Sequence, residues 1–433
     1  MAPFYCGKLL RTQHRRRLVM LRSDFVRKLM SNSVAQGLNF GSRWLLNLAL
    51  ARHLLEQEFG VFSFIYMLAN LFFPAIAFGA NFYLIHHAAQ QRHISQLLQS
   101  LRISLLVFSV LTICSALLLW WTDAELSWTL YLLSLLIGLS WALNQACFSY
   151  LKGAQQFALE VRSQLVSVAL TLLLVVAIFA GSFSHTAPVL LLILLISFFP
   201  LLTALRALLP EYRQWRGDVQ GETPGLWQQL KQRFSYAWHD VFAIYLTNIP
   251  FVFLALFSSL LALGQFRKAF VLFMPVTLLP VVFSQVLLSK LSHQRLLDDK
   301  IRLFKRVFLY SFPLLSLPYF VLLLACPWLY PWLLAEPLNA QAQLICTLVV
   351  LTLWLTLLKT YFEVWITALG LNKWRAVSVT VVALLGSAAY LVANNQLSAE
   401  IAAWIFFSTN ALAVLSLMGL SMPAVRKYRR RQP

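Results

Sequence analysis

The segments "ISLLVFSVLTICSALLLWW" (103–121) and "VSVALTLLLVVAIFAG" (166–181) are apolar on every face of any helix they could form. A helix on the surface of a soluble domain carries apolar residues along one stripe only, so segments like these must lie in a protein interior or in lipid. The chain is 60% hydrophobic and 12% charged. A soluble domain carries about 25% charged residues, so bilayer is the better solvent. Twelve such segments recur, near 30–50, 61–85, 103–122, 128–149, 163–181, 187–209, 236–258, 268–288, 304–326, 343–368, 375–394 and 399–421. Each is long enough to cross about 30 Å of hydrocarbon. The expected fold is therefore all-α and polytopic.

The net charge of +20 raises nucleic acid as a partner, but the placement of the basic residues argues against it. With a cytoplasmic N-terminus, 30 of the 35 lysines and arginines face inward: eight before Met30, five after Pro423 and seventeen in the even-numbered loops. That is the positive-inside rule. The clusters "RTQHRRR" (11–17) and "RKYRRR" (426–431) read as topology anchors that also suit anionic lipid headgroups. No small-residue cleavage site follows the first apolar run, which predicts a retained signal anchor, with Met20 and Met30 as alternative starts.

Four of the five cysteines lie in apolar segments without CxxC spacing, and His86, His87 and His93 have no carboxylate nearby. Neither group predicts a metal or redox site, and no cofactor is expected.

A connection rich in charge, Gly and Pro, residues 210–233, divides the chain into six segments and six segments. The expected plan is a basic tail (1–29), a six-helix bundle (30–209), the linker (210–233), a second six-helix bundle (234–422) and a basic tail (423–433), both tails cytoplasmic. The halves echo each other: "FGVFSFIYMLANLFFP" (59–74) parallels "LGQFRKAFVLFMPVTLLP" (263–280), each with Gly-x-Phe at a helix start, a proline that interrupts the helix near its middle and a His-bearing loop after it (His86, His87; His293). Parallel repeats of this kind belong to transporters that rock two bundles about a central site. The outward loops are too short for a folded domain, which argues against an integral-membrane enzyme such as a glycan polymerase or ligase.

In the first segment Asn32, Gln36, Asn39, Arg43 and Asn47 are spaced by three or four residues and share one helix face. Arginine at a helix centre costs about 2.5–3.5 kcal/mol on the insertion scale, and each leucine returns only about 0.3–0.6. Leu38, Leu45, Leu46, Leu48 and Leu50 barely offset that cost. The stripe therefore points to a polar interior, while Gly37 and Gly41 form a GxxxG suited to close helix packing.

The tenth segment repeats the pattern with Thr352, Thr356, Lys359, Glu363 and Thr367. Lys359 and Glu363, four apart, are either a self-neutralising pair or a substrate-phosphate or coupling-ion site. Asp240 in the seventh segment is either a hydrated terminus residue or a cation or proton site. Arg52 and the pair Arg267/Lys268 stand at matching outer ends of the repeats, where they suit headgroups or an anion at the outer mouth. Asn70, Pro74 and Asn81 on the second segment, and Ser134, Trp141 and Gln145 on the fourth, extend the polar lining.

"GSRWLLNLALARHLLEQEFGVFSFIYMLANLF" (41–72), "YLKGAQQFALEVRSQ" (150–164), "LGQFRKAFVL" (263–272) and "ALGLNKW" (368–374) resemble polysaccharide biosynthesis membrane proteins, the O-antigen flippase family. Sister families are the lipid II flippases and the multidrug and toxic compound extrusion antiporters. The resemblance implies alternating access in a bacterial inner membrane, moving undecaprenyl-diphosphate-linked oligosaccharide outward for lipopolysaccharide O-antigen or related polysaccharides. It implies that Arg43 points into a central cavity. Its partners would be the lipid-linked substrate, membrane lipids and polysaccharide polymerase or assembly proteins. Twelve spans rather than fourteen favour the O-antigen branch. The first helix lacks the acidic residue common in the drug antiporters, which leaves a cation-coupled small-molecule antiporter as the alternative function.

Overall fold

A computed structural model describes residues 37–81, 83–85, 94–122, 128–154, 156–181, 183, 185–217, 225–294 and 296–429. Among these residues all regular structure is helical. Helix α1 (37–53) is followed by α2 (Glu56–Ala77), α3 (Ile94–Thr122), α4 (Trp128–Gly153), α5 (Phe157–Phe179), α6 (Thr186–Gly217) and α7 (Leu226–Phe257). Next come α8 (Leu260–Phe273), α9 (Leu278–His293), α10 (Leu297–Leu334), α11 (Ala340–Ala368), α12 (Asn372–Val392) and α13 (Ala399–Arg429). Eleven described stretches are long and apolar enough to cross a membrane, and α1 precedes them. The protein is a polytopic membrane protein. The basic N-terminal tail, the histidine cluster at 86–93, the centre of the linker and residues 430–433 lie outside the described residues.

Backbone groups in hydrocarbon must be satisfied within the segment, so these sequences have no alternative to helix. Where the helices start near water, side chains supply the missing partners. Ser259 accepts from the Ala262 amide at the start of α8 (3.1 Å), and Asn339 accepts from the Ala342 amide at the start of α11 (2.7 Å). The segment near 268–288 is interrupted at a proline, as the repeat pattern predicts. A 3₁₀ turn, Met274–Thr277, separates α8 from α9. Pro275 has no amide to donate there, and Tyr319 of α10 donates its hydroxyl to the Val276 carbonyl (3.0 Å).

Packing sorts the helices. Helix α2 lies on α3 and α4, α4 on α6, and α6 on α5; α11 lies on α9, α10 and α13, and α12 on α7 and α13. The two sets meet where α2 runs along α7 and α8. At the α2–α8 crossing the backbones touch. A Cβ added at Gly264 would stand 2.5 Å from the Glu56 carbonyl oxygen, and one at Gly60 would overlap the Leu260 carbonyl. Glu56 precedes Gly60 by one turn, as Leu260 precedes Gly264, so the contact is reciprocal. By contrast, Gly37 and Gly41 have nothing within 4 Å of an added Cβ, so the GxxxG expected to pack α1 closely does not do so here. The close approach belongs to the two Gly-x-Phe motifs.

At its other end α2 meets the start of α7. Arg233, fully buried, crosses to the first set of helices: its guanidinium carbon lies 4.1 Å from the Tyr83 ring centroid, and it donates to Ser100 of α3. Burial pulls its pKa down to about 10, which still leaves it charged at neutral pH.

Candidate functional site

Helices α1, α2, α4, α5 and α6 line a partly open cavity of about 250 Å³. Helix α1 contributes Asn39 and Arg43, one turn apart on its polar stripe. The half-buried Arg43 guanidinium carbon sits 5.3 Å from the Trp141 ring centroid, a cation–π contact that holds the charge against the α4 wall. Among the described residues no carboxylate lies within ion-pair distance of it. Asn70 of α2 and Gln145 of α4 also line the cavity, with Phe73 and Phe148 giving apolar wall.

The wall beside the α4–α5 connection carries two charges, Lys152 and Glu160. Helices α4 and α5 are joined by a short turn, which brings the end of α4 against the first turn of α5. Lys152 bonds Glu160 across that turn at 3.0 Å, and the Gln164 amide donates to the same carboxylate oxygen at 2.9 Å. Both partners line the cavity beside Arg43. The local signal was present: Lys152 and Glu160 stand at opposite ends of "KGAQQFALE", flanking its one polar break.

Asn144 is fixed by two donations from its amide, to the Ser140 carbonyl (2.9 Å) and the Ser197 carbonyl of α6 (2.7 Å), while the Ser140 and Ser197 hydroxyls share a bond at 2.6 Å. This ladder locks α4 to α6 and turns the Asn144 carbonyl oxygen away from both backbones. That oxygen, one Glu160 carboxylate oxygen and the Gln164 carbonyl oxygen are buried and meet no protein donor.

The remaining site residues of the sequence reading scatter. Asn47, fully buried, donates to the Arg43 carbonyl (2.8 Å) and accepts from Arg267 (3.4 Å); it serves the α1–α8 contact and does not line the cavity. The stripe drifts round α1 as it climbs, which is why Asn39 and Arg43 face one space and Asn47 another. Arg267 is buried between Phe251 and Phe270, with its guanidinium carbon 5.0 and 5.6 Å from their ring centroids. Lys268 is 1% exposed and bonds Glu56 of α2 (3.4 Å) and Glu336 beyond α10 (2.5 Å). Both side chains are therefore buried beside the α2–α8 crossing, with their charges turned to protein partners. Arg52 is exposed. Gln36 lies outside the described residues.

Lys359 is buried in α11 and makes no ion pair with Glu363. Glu363 and Asp240 instead share Arg375 of α12, which is within electrostatic reach of both and donates to Thr367 at 2.9 Å. Asp240 also contacts His239 at 3.4 Å.

The helical arrangement is similar to solved transporters of the MOP superfamily. An inward-facing multidrug resistance MATE family transporter aligns over 94% of this chain and 96% of that one, with TM-score 0.65 and 13% identity. The lipid II flippase MurJ, in an inward closed conformation, aligns over 92% of this chain and 89% of that one, with TM-score 0.63 and 14% identity. An outward-facing MATE structure gives TM-score 0.62 at 12% identity, over 94% of this chain and 97% of that one. At these identities the likeness speaks for the fold. Fold and spans together define a multi-pass membrane protein. Within that class the chain belongs to the polysaccharide biosynthesis protein family, which it matches over residues 49–334. No curated protein matches it in sequence.

Proposed function

We propose that this protein flips a lipid-linked oligosaccharide, carried on a polyprenyl diphosphate such as undecaprenyl diphosphate, from the cytoplasmic to the outer leaflet of a bacterial inner membrane. The observation that carries the reading is Arg43, a guanidinium with no carboxylate partner among the described residues, lining a polar and aromatic cavity in a chain of this family. A guanidinium forks phosphate oxygens bidentately, and inside a membrane such a charge is retained for a ligand. Arg43 holds the diphosphate with Lys152 beside it, Asn39 contacts the same group, and the lipid tail stays in the bilayer.

In this reading the chain is two six-helix bundles, 30–209 and 234–422, with both termini cytoplasmic, alternating about the α2–α8 crossing. Lys359 serves the anion on its passage along the second bundle. Asp240 and Glu363 are the carboxylates for ion coupling, with Arg375 as their internal counter-charge. The product feeds O-antigen or related polysaccharide assembly, next to a polymerase.

The test is glycan export in cells that depend on this protein. Arg43→Ala is expected to abolish surface polysaccharide while protein level and membrane insertion stay normal, and Arg43→Lys to retain part of it. Normal surface polysaccharide in Arg43→Ala cells, or sodium-driven drug uptake by vesicles that requires Asp240 or Glu363, would overturn it.

A further inference from the structure

On the side that the proposed topology turns outward, a second cavity of about 220 Å³ lies where the two sets of helices meet. Glu56 enters it from α2, Gln265 from α8, Tyr330 from the end of α10, Glu336 and Asn339 from the α10–α11 connection, and Gln341 from the start of α11. The buried Lys268 bonds one oxygen of each carboxylate and so fixes both from behind. Asn339 is fixed too, because its carbonyl oxygen accepts from the Ala342 amide. Among the described residues no protein group takes the second oxygen of Glu56 or Glu336, the Asn339 amino group, or the side-chain amides of Gln265 and Gln341. The two carboxylates are 33% and 37% exposed, with neither free oxygen sealed off, so a ligand can reach them.

Two carboxylates and one ammonium leave the site a net negative charge, which repels anions. A metal cation would meet Lys268 at its back, and among the described residues no group of three or more His, Cys, Asp and Glu side chains could hold one. What remains is a neutral ligand that both donates and accepts. Carboxylate and amide side chains at fixed positions match sugar hydroxyls in that way, and Tyr330 and Pro337 add apolar wall for the C–H face of a ring. The volume is the share of about seven liquid water molecules, room for one pyranose. The cavity is partly open, so a longer chain can continue outside it.

We propose that this cavity binds one neutral sugar unit of a glycan on the outward side, bridging Glu56 of the first set of helices to Glu336 and Asn339 of the second. This rests on the flippase reading and adds to it a separate glycan site, away from Arg43, that favours uncharged sugars over acidic ones.

The experiment is saturation-transfer difference NMR on the full-length protein in lipid nanodiscs. The probes are the methyl glycosides of glucose, galactose and N-acetylglucosamine, set against methyl glucuronide, which has the same ring but brings a carboxylate toward Glu56 and Glu336. At least one neutral glycoside should bind on the order of tenfold tighter than the glucuronide. Glu56→Gln and Glu336→Gln each remove one negative charge from the site, so each should narrow that preference. Ala342→Trp fills the cavity without touching the Lys268 pairs and should abolish binding, whereas Arg43→Ala, in the other cavity, should leave it unchanged. No binding of any neutral glycoside, or glucuronide bound as tightly, overturns the site even if no variant folds. Binding that survives Ala342→Trp or needs Arg43 places the sugar elsewhere and overturns it too, and a preference that either glutamine variant leaves intact removes the bridge. The flippase reading fails separately, through normal surface polysaccharide in Arg43→Ala cells.

Discussion

Substituting Gly264 with alanine tests whether the α2–α8 crossing is the closed contact between the two sets of helices. The added Cβ would stand 2.5 Å from the Glu56 carbonyl oxygen, where ordinary contact begins at 3.4 Å, so the helices must separate by about 0.9 Å. A backbone carbonyl cannot rotate out of the way as a side-chain tip can. Overpacking of this kind costs about 1–3 kcal/mol, and if only the closed state bears it, the closed-to-open ratio falls by roughly 5- to 150-fold. Gly60→Ala, whose Cβ overlaps the Leu260 carbonyl, should have the larger effect. Spin labels at Leu55 and Leu261, both exposed, report the separation by double electron–electron resonance. A longer-distance population should grow in the order native, Gly264→Ala, Gly60→Ala. Superimposable distance distributions with unchanged thermal stability would refute the backbone contact.

Two further predictions follow from the buried charges. Lys152→Met strands Glu160 and should destabilise the protein by about 3 kcal/mol, whereas the double variant Lys152→Met/Glu160→Gln should recover most of that loss. Additive losses in thermal or chemical unfolding would show that the two side chains do not interact. Lys268→Met leaves Glu56 and Glu336 facing each other, but both are about a third exposed, so about 2 kcal/mol is expected, less than the 3–5 of a fully buried pair. Glu56→Gln alone should cost under about 1 kcal/mol, and the reverse order in a melting experiment would refute the assignment.

The membrane class was legible because solvent acts on every residue of a span, so twenty apolar positions in a row carry the message many times over. The cavity was half legible. Asn39 and Arg43 were found because a charge in a lipid-crossing helix must face something polar. Asn47 shares their stripe but turns to Arg267, a partner 220 residues away that no local spacing reveals. Lys268 was hidden in the same way, since its partner Glu56 lies 212 residues off. Lys152 and Glu160 were not singled out for the opposite reason: charges beside a turn look like ordinary loop residues until the turn is known to fold two helices face to face. Gly37 and Gly41 matched a packing motif that the structure does not use, while Gly60 and Gly264 made the contact without matching one.

Helix α7 has divided attachments. Its first turns are tied by Arg233 to Tyr83 and Ser100 in the first set of helices. Its later turns are tied by Trp238 and Tyr245 to Thr380 and Ser387 of α12 in the second. In the flipping cycle proposed above, a rod clamped at one end to each of two sets of helices would act as a lever arm between them. A relative rotation of the two sets would bend it or break one clamp, and Pro250, which leaves a gap in its hydrogen-bond ladder, makes its C-terminal part the more compliant. Under that proposal helix α7 would be a mechanical element, whose stiffness sets how far and how fast the two sets of helices can swing.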